Sequence, residues 1–245
     1  LSCYTKIFAE NFIFETSEIQ LSDGGNIIKA TKGTAISKID KLEIEAETFQ
    51  YNKKKLVLTA TNGLARLPND NIEIKANQFL YDQNLFVLTA TGNVEIRDIT
   101  NKLQIKSESI FFNSKSKYIK SESDSTINDG NGNFFSTKEF FYSPDVRIIK
   151  FTDVKLIDAD KNITKIKNTY LNLNTNQILG KDFSMDFNND SFNKNNDPRL
   201  KGNAFSSKDD ISIISKGIFT TCKKNDTCPP WQISAKKITH DNKKK

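Results

Sequence analysis

Leu42-Glu-Ile-Glu-Ala-Glu-Thr-Phe-Gln-Tyr-Asn52, followed by Leu56-Val-Leu-Thr-Ala-Thr-Asn-Gly63, is answered by Ile72-Glu-Ile-Lys-Ala-Asn-Gln-Phe-Leu-Tyr-Asp82 and Phe86-Val-Leu-Thr-Ala-Thr-Gly-Asn93. The offset is 30 residues at both alanines, 46 to 76 and 60 to 90. Working outward, a first landmark recurs at Ala46, Ala76, Ser107, Thr137 and Lys167, with Phe49, Phe79, Ile110, Phe140 and Tyr170 three residues later. A second recurs at Ala30, Ala60, Ala90, Ser121, Phe151 and Lys181. A period this constant marks a repeat architecture in which each unit covers the apolar face of the next.

Within each copy the apolar residues fall on alternate positions. Leu42, Ile44 and Ala46 face one way and Glu43, Glu45 and Glu47 the other, the period of a strand with one wet and one buried face. Phe49 and Tyr51 then carry the apolar set on odd positions, so a bulge near Glu47-Thr48 is expected to keep both runs inward. Asn52-Lys-Lys-Lys55, Asp82-Gln-Asn84, Asn113-Ser-Lys115 and Ser143-Pro-Asp145 read as turns, after which Leu56, Leu58 and Ala60 run back along the same face. Short strands joined by such turns predict two sheets folding toward each other over one apolar interior. The period-two pattern excludes a helical solenoid. A right-handed parallel β-helix is the structural competitor, with fewer residues per coil and more glycine.

Composition agrees with strands. Among 245 residues, Phe (18) is abundant while Met (1), Pro (5) and Gly (10) are scarce, and 36% hydrophobic content suffices for a core. The formal charge is +6, but Lys and Arg are interleaved with apolar residues or sit in turns, the pattern of a solvated outer face; an anionic partner is the minority reading. No stretch approaches the ~20 apolar residues of a membrane-spanning helix.

Residues 1–9 are read as the end of a secretory signal peptide cleaved after Ala9. Two readings compete: Phe8-Ala9 as part of a first repeat strand, and Leu1-Ser2-Cys3 as the end of a lipoprotein signal. The repeat domain is expected over 10–241, with a polar loop at 188–197 and a junction to further sequence at 242–245. After the loop the strands resume, and Ala235, Ile238, His240 and Asp241 reproduce the spacing of Ala46, Phe49, Tyr51 and Asn52.

Catalytic motifs are absent from the pattern. The single histidine, His240, occupies the repeat's aromatic position and is expected to act as a filler. No glycine-rich phosphate loop, zinc-type cluster or nucleophile elbow occurs, and the carboxylates mostly alternate outward along strands rather than converging in pairs. Neither cofactor nor metal is expected, and binding is favoured over turnover. Cys222 and Cys228, in Cys-Lys-Lys-Asn-Asp-Thr-Cys, could close a small disulfide, pair with cysteines elsewhere or remain buried thiols; without a nearby histidine they make poor zinc ligands.

Pro198-Arg-Leu-Lys-Gly202, Gly217-Ile-Phe-Thr-Thr-Cys222 and Pro230-Trp-Gln-Ile-Ser-Ala-Lys-Lys-Ile-Thr-His-Asp241, in that order, resemble the junction between the periplasmic domain and the outer-membrane barrel of the LptD family of lipopolysaccharide-assembly proteins. The upstream A-x-x-F-x-Y-[ND] and L-T-A-T-x-G units resemble the OstA-like repeat, which that family shares with LptA-type periplasmic bridge proteins. The resemblance covers Glu10 to Asp241. It implies an all-β fold, an open, elongated β-jellyroll of ~30-residue two-strand repeats, in the periplasmic domain of an outer-membrane protein.

The lipid groove so implied would be lined by Ile44, Phe49, Tyr51, Leu56, Leu58, Ile74, Phe79, Tyr81, Phe86, Leu88, Val94, Ile96, Ile110, Phe112, Phe140 and Tyr142. The implied partners are lipopolysaccharide, an LptA-type bridge protein docking along an edge strand, assigned to Asn11–Glu18, and an LptE-type lipoprotein held through a barrel; nucleic acid is not among them. Cys222 takes the family's interdomain-disulfide position, with Cys228 or Cys3 as the other periplasmic cysteine. Three rival readings are an LptA-like bridge, a structural or carbohydrate-binding β-solenoid with a closed, dry interior, and, third, a nucleic-acid binder.

Overall fold

The computed structural model describes residues 5–9, 11–188, 196–209, 211–224 and 231–241. The expected loop over 188–197 lies mostly outside the described residues, as do the junction 242–245, Cys3 and Cys228. The fold is the all-β jellyroll of two-strand repeats that the sequence predicts, nearly all antiparallel, with one 3₁₀ turn among the described residues, at Asp23–Gly25. It divides into two compact units, Leu1–Ser125 and Thr126–Lys245.

In the first unit β1 (Thr5–Ala9), β2 (Phe12–Ser22), β3 (Ile27–Ser37), β4 (Glu43–Asn52), β5 (Val57–Leu67), β6 (Ile72–Asp82), β7 (Val87–Asp98), β8 (Leu103–Asn113) and β9 (Tyr118–Ser121) each pair with the next in sequence. β1 falls in the segment assigned to a leader and pairs with β2, Thr5 opposite Thr16 through Ala9 opposite Phe12, so Ala9 and Phe12, which the competing reading sets on one repeat strand as Ala46 and Phe49 are, stand on two. This pairing corrects the edge assignment: Asn11–Glu18 is not a free edge, because β1 occupies the outer side of Phe12–Thr16.

The turns explain the repeat's terminal Asn or Asp. Asn52 Oδ1 accepts from Lys55 N (3.0 Å), Asp82 Oδ1 from Asn84 N (2.9 Å), and Asn113 Oδ1 from Lys115 N (3.1 Å) and Ser116 N (2.7 Å). A short polar side chain thus satisfies the amides that the reversal strips from the ladder. Each turn ends in a left-handed residue, Leu56 (φ 56°), Phe86 (φ 57°) or Lys117 (φ 51°).

Halfway along, every strand of the unit's middle turns a corner. On β4, Ile44 and Ala46 are buried, Glu47 and Thr48 are both exposed, and Phe49 and Tyr51 are buried again, the expected bulge. The ladder pairs Gly33 with Ala46 and Thr31 with Thr48, passing over Lys32 and Glu47, and Lys32 (φ 44°), Asn62 (φ 48°) and Asn93 (φ 50°) take left-handed backbone at the same place. The bend folds the sheet onto itself. Phe14 lies in register with Ala35 and Ile44, so in a flat sheet Tyr51, seven residues beyond Ile44, would stand about 23 Å away. Their ring centroids are 6.2 Å apart.

The second unit runs β10 (Ser125–Asn128), β11 (Phe134–Thr137), β12 (Glu139–Ser143), β13 (Ile148–Thr152), β14 (Val154–Ile157), β15 (Ile163–Asn172), β16 (Gln177–Asp186), β17 (Arg199–Lys208), β18 (Ile211–Thr220) and β19 (Ile233–Asp241). β12 pairs with β13, β13 and β14 both pair with β15, and from β15 to β19 the order again follows the sequence. Its core holds two stacked pairs, Phe135–Phe151 at 5.2 Å and Phe183–Phe205 at 4.6 Å.

Candidate functional site

The interior of the first unit is built from cross-strand rows. One reads Ala30–Phe49–Ala60–Phe79–Ala90–Ile110 from β3 to β8, and the next reads Ile28–Tyr51–Leu58–Tyr81–Leu88–Phe112–Ile119. Across the corner a third reads Phe14–Ala35–Ile44–Ala65–Ile74–Ile96–Ile105. Every member is buried. The repeat sets Phe on one strand and Ala on the next. Since strands lie about 4.8 Å apart, each ring gains the width of its alanine neighbours, and the row packs without crowding.

Of the residues expected to line a groove, Ile44, Phe49, Tyr51, Leu58, Ile74, Phe79, Tyr81, Leu88, Val94, Ile96, Ile110 and Phe112 stand in this interior, none above 3% exposed. Phe140 and Tyr142 are buried in the second unit, opposite Phe151 and Ile149. Leu56 and Phe86 are placed differently. Their left-handed backbone puts them in the turns, half-buried, where their carbonyls accept from Gln83 N (3.0 Å) and Ser114 N (2.9 Å), and Lys115 Nζ lies 5.5 Å from the Phe86 ring. They do not run on along the face of Leu58 and Ala60.

Folding the sheet brings its two rows of turns together, and a polar seam forms between them. Asp40, in the β3–β4 turn, accepts from Tyr81 Oη, from Ser114 Oγ (2.9 Å) and from Ser37 Oγ (3.3 Å). Asp70, in the next turn on that side, accepts from Lys117 Nζ at 2.8 Å, with side chains 15% and 30% exposed. Burial first, and then the hydrogen bond to Asp40, push the Tyr81 hydroxyl well above its ordinary pKa, so it stays a donor. Close by along the chain, Tyr51 Oη donates to Gln83 Oε1 (2.9 Å), and the buried Gln83 Nε2 meets no acceptor among the described residues.

Reading turns as solvated polar segments misses this seam. The available signal was the recurrence of aspartate at the repeat offset, Asp40 and Asp70. A second polar feature sits where the small landmark changes from Ala to Ser: Ser107 Oγ lies 2.9 Å from Ser121 Oγ and 3.0 Å from both Ser123 Oγ and Ser125 Oγ, a cluster of hydroxyls.

In the second unit the Cys222 thiol is half-exposed and forms no disulfide among the described residues. Its carbonyl accepts from the Arg199 guanidinium, its amide donates to Thr220 Oγ1 (3.2 Å), and Thr220 Oγ1 donates to Trp231 O (2.8 Å). His240 packs edge-on to Phe187 at 5.5 Å. Among the described residues no group of three or more His, Cys, Asp or Glu is arranged to hold a metal, and no helix is long and apolar enough to cross a membrane.

No protein-family model matches the chain, and no curated protein matches it in sequence. Among solved structures it is similar to LptH, described as the LptA homologous periplasmic component of the conserved lipopolysaccharide transport device from Pseudomonas aeruginosa. The identity is 15% over 45% of this chain and 81% of that one, with a TM-score of 0.39.

Proposed function

We propose that this chain is a non-enzymatic lipid conduit, a periplasmic domain that receives lipopolysaccharide from an LptA-type bridge protein and passes it toward an outer-membrane barrel. The observation that carries the reading is the run of apolar rows across successive strands of the first unit, repeated at a fixed step. Each methylene transferred from water to such a surface contributes about 0.8 kcal/mol, and similar rungs let an acyl chain move along without a trap. The junction motifs Gly217–Cys222 and Pro229-Pro230-Trp231 support the choice of an LptD-type domain over a bridge. On this reading Cys222 is the interdomain disulfide cysteine, the outer edges of β1 and β19 are the places for strand addition, and an LptE-type lipoprotein is met through the barrel.

One observation favours the rival, a structural or carbohydrate-binding β-solenoid: the interior is closed, with its lining residues essentially inaccessible. The readings divide on whether lipid reaches that lining. Photo-crosslinkers at Phe49, Leu58, Phe79, Leu88 and Phe140 are expected to capture lipopolysaccharide, and those at Glu45 and Lys75 are not. Equal labelling of the two sets, or none, overturns the conduit.

A further inference from the structure

Resting on the conduit reading, we propose that the first unit admits acyl chains sideways through its turn seam, and that Asp40–Tyr81, Asp40–Ser114 and Asp70–Lys117 form a latch that entering lipid displaces.

The walls of the unit differ in what holds them closed. One row of turns is knit to itself by main-chain bonds, Lys53 N to Asn26 O (2.9 Å), Gln83 N to Leu56 O (3.0 Å) and Ser114 N to Phe86 O (2.9 Å). The other row has Lys38 N to Asn11 O (3.0 Å) and Ile99 N to Asn71 O (3.1 Å). From β2 to β9 the strands between them are laddered without a break in order. Between the two rows, among the described residues, no main-chain hydrogen bond crosses, and the side-chain bonds of Asp40 and Asp70 join them. Parting two strands would strip several backbone pairs from each other in an apolar setting. Parting the seam exposes carboxylate, hydroxyl and ammonium groups that water solvates well.

What lies behind the seam suits an apolar guest. Phe12, at the start of β2 beside one row of turns, packs edge-on to Tyr51 (5.1 Å) and Tyr81 (6.2 Å), at the ends of β4 and β6 beside the other. Separating the rows therefore separates these rings and uncovers the apolar rows within. Gln83 Nε2, buried at the same place and without an acceptor among the described residues, offers a donor to an ester or amide carbonyl at the head of an acyl chain.

The test staples the latch reversibly. In the full-length chain, with Cys3, Cys222 and Cys228 replaced by serine, Asp40→Cys and Ser114→Cys are bridged by a short bis-methanethiosulfonate reagent. Uptake of a dansyl-labelled fatty acid is then followed by its fluorescence rise. Uptake is expected to fall about ten-fold on stapling and to recover when reductant releases the staple; Ser114→Ala, which removes one bond of the latch, is expected to speed uptake by up to about ten-fold. Circular dichroism before and after release confirms that each sample is folded. Unchanged uptake in the stapled protein overturns the latch while leaving the conduit standing. Failure of the unstapled protein and the Ser114→Ala variant to take up the probe overturns both.

Discussion

Gly33 lies so close beneath Glu15 that a Cβ added to it would stand 2.1 Å from the Glu15 carbonyl oxygen. Gly63 repeats the relationship one unit on, 2.3 Å from Glu45 O. Both glycines sit at the corner where the sheet bends back, and the neighbouring backbone, unlike a side chain, has no room to yield. Gly33→Ala and Gly63→Ala are each expected to cost about 3 kcal/mol, read as a shift in the denaturant midpoint.

Lys32, the neighbour of Gly33, presents the opposite case. It is exposed and holds left-handed backbone (φ 44°) where the next repeat has Asn62. A β-carbon in that conformation costs about 1–2 kcal/mol, a penalty that asparagine reduces and glycine removes. Lys32→Gly is expected to stabilise the protein by up to about 1 kcal/mol, net of the greater freedom it gives the unfolded chain, and Lys32→Asn by somewhat less. Thermal unfolding of the two variants side by side is the check.

These corners show how far the sequence could be read. The slip of apolar residues from even to odd positions at Glu47-Thr48 located the bulge, because burial on one face forces the register. It did not show that the bend closes the sheet until Phe14 meets Tyr51, since contacts between leaves leave no period along the chain. Leu56 and Phe86 were misplaced for a related reason. Hydrophobicity says that a residue prefers the interior, while the turn decides that its backbone goes left-handed and its carbonyl faces the next turn. Asp40 and Asp70 looked like ordinary turn residues because only their partners, brought from 41, 74 and 47 residues away, give them a role.

Asn113 tests the turn chemistry. Its side-chain oxygen takes three bonds, from Lys115 N, Ser116 N and Ser116 Oγ (3.0 Å). Asn113→Ala is expected to cost about 1–2 kcal/mol, and Asn113→Asp to keep most of it, as Asp82 does at the equivalent place. Urea denaturation at neutral pH measures both.

Tyr81 predicts an alkaline limit. Its hydroxyl is held protonated in the fold by burial and by Asp40, with Ser114 and Ser37 also facing it, and is free to ionise once unfolded. Above about pH 10 the unfolded state therefore binds fewer protons than the native state, and stability falls as pH rises. The contribution is complete below that pH. Tyr81→Phe is expected to be less stable than wild type at neutral pH yet to lose less on going from pH 9 to 11, measured by denaturant unfolding at each pH.

The spans of the seam bonds also set an order of events. Neighbouring strands meet through turns of a few residues, so the ladder from β2 to β9 can zip up locally, one hairpin at a time. Asp40 and Ser114 face each other only after the strands between them have been laid down, because their contact closes a loop of 74 residues. The seam is thus the last thing made and the first released. Strengthening it should lengthen the lifetime of the native state and leave the rate of folding nearly untouched.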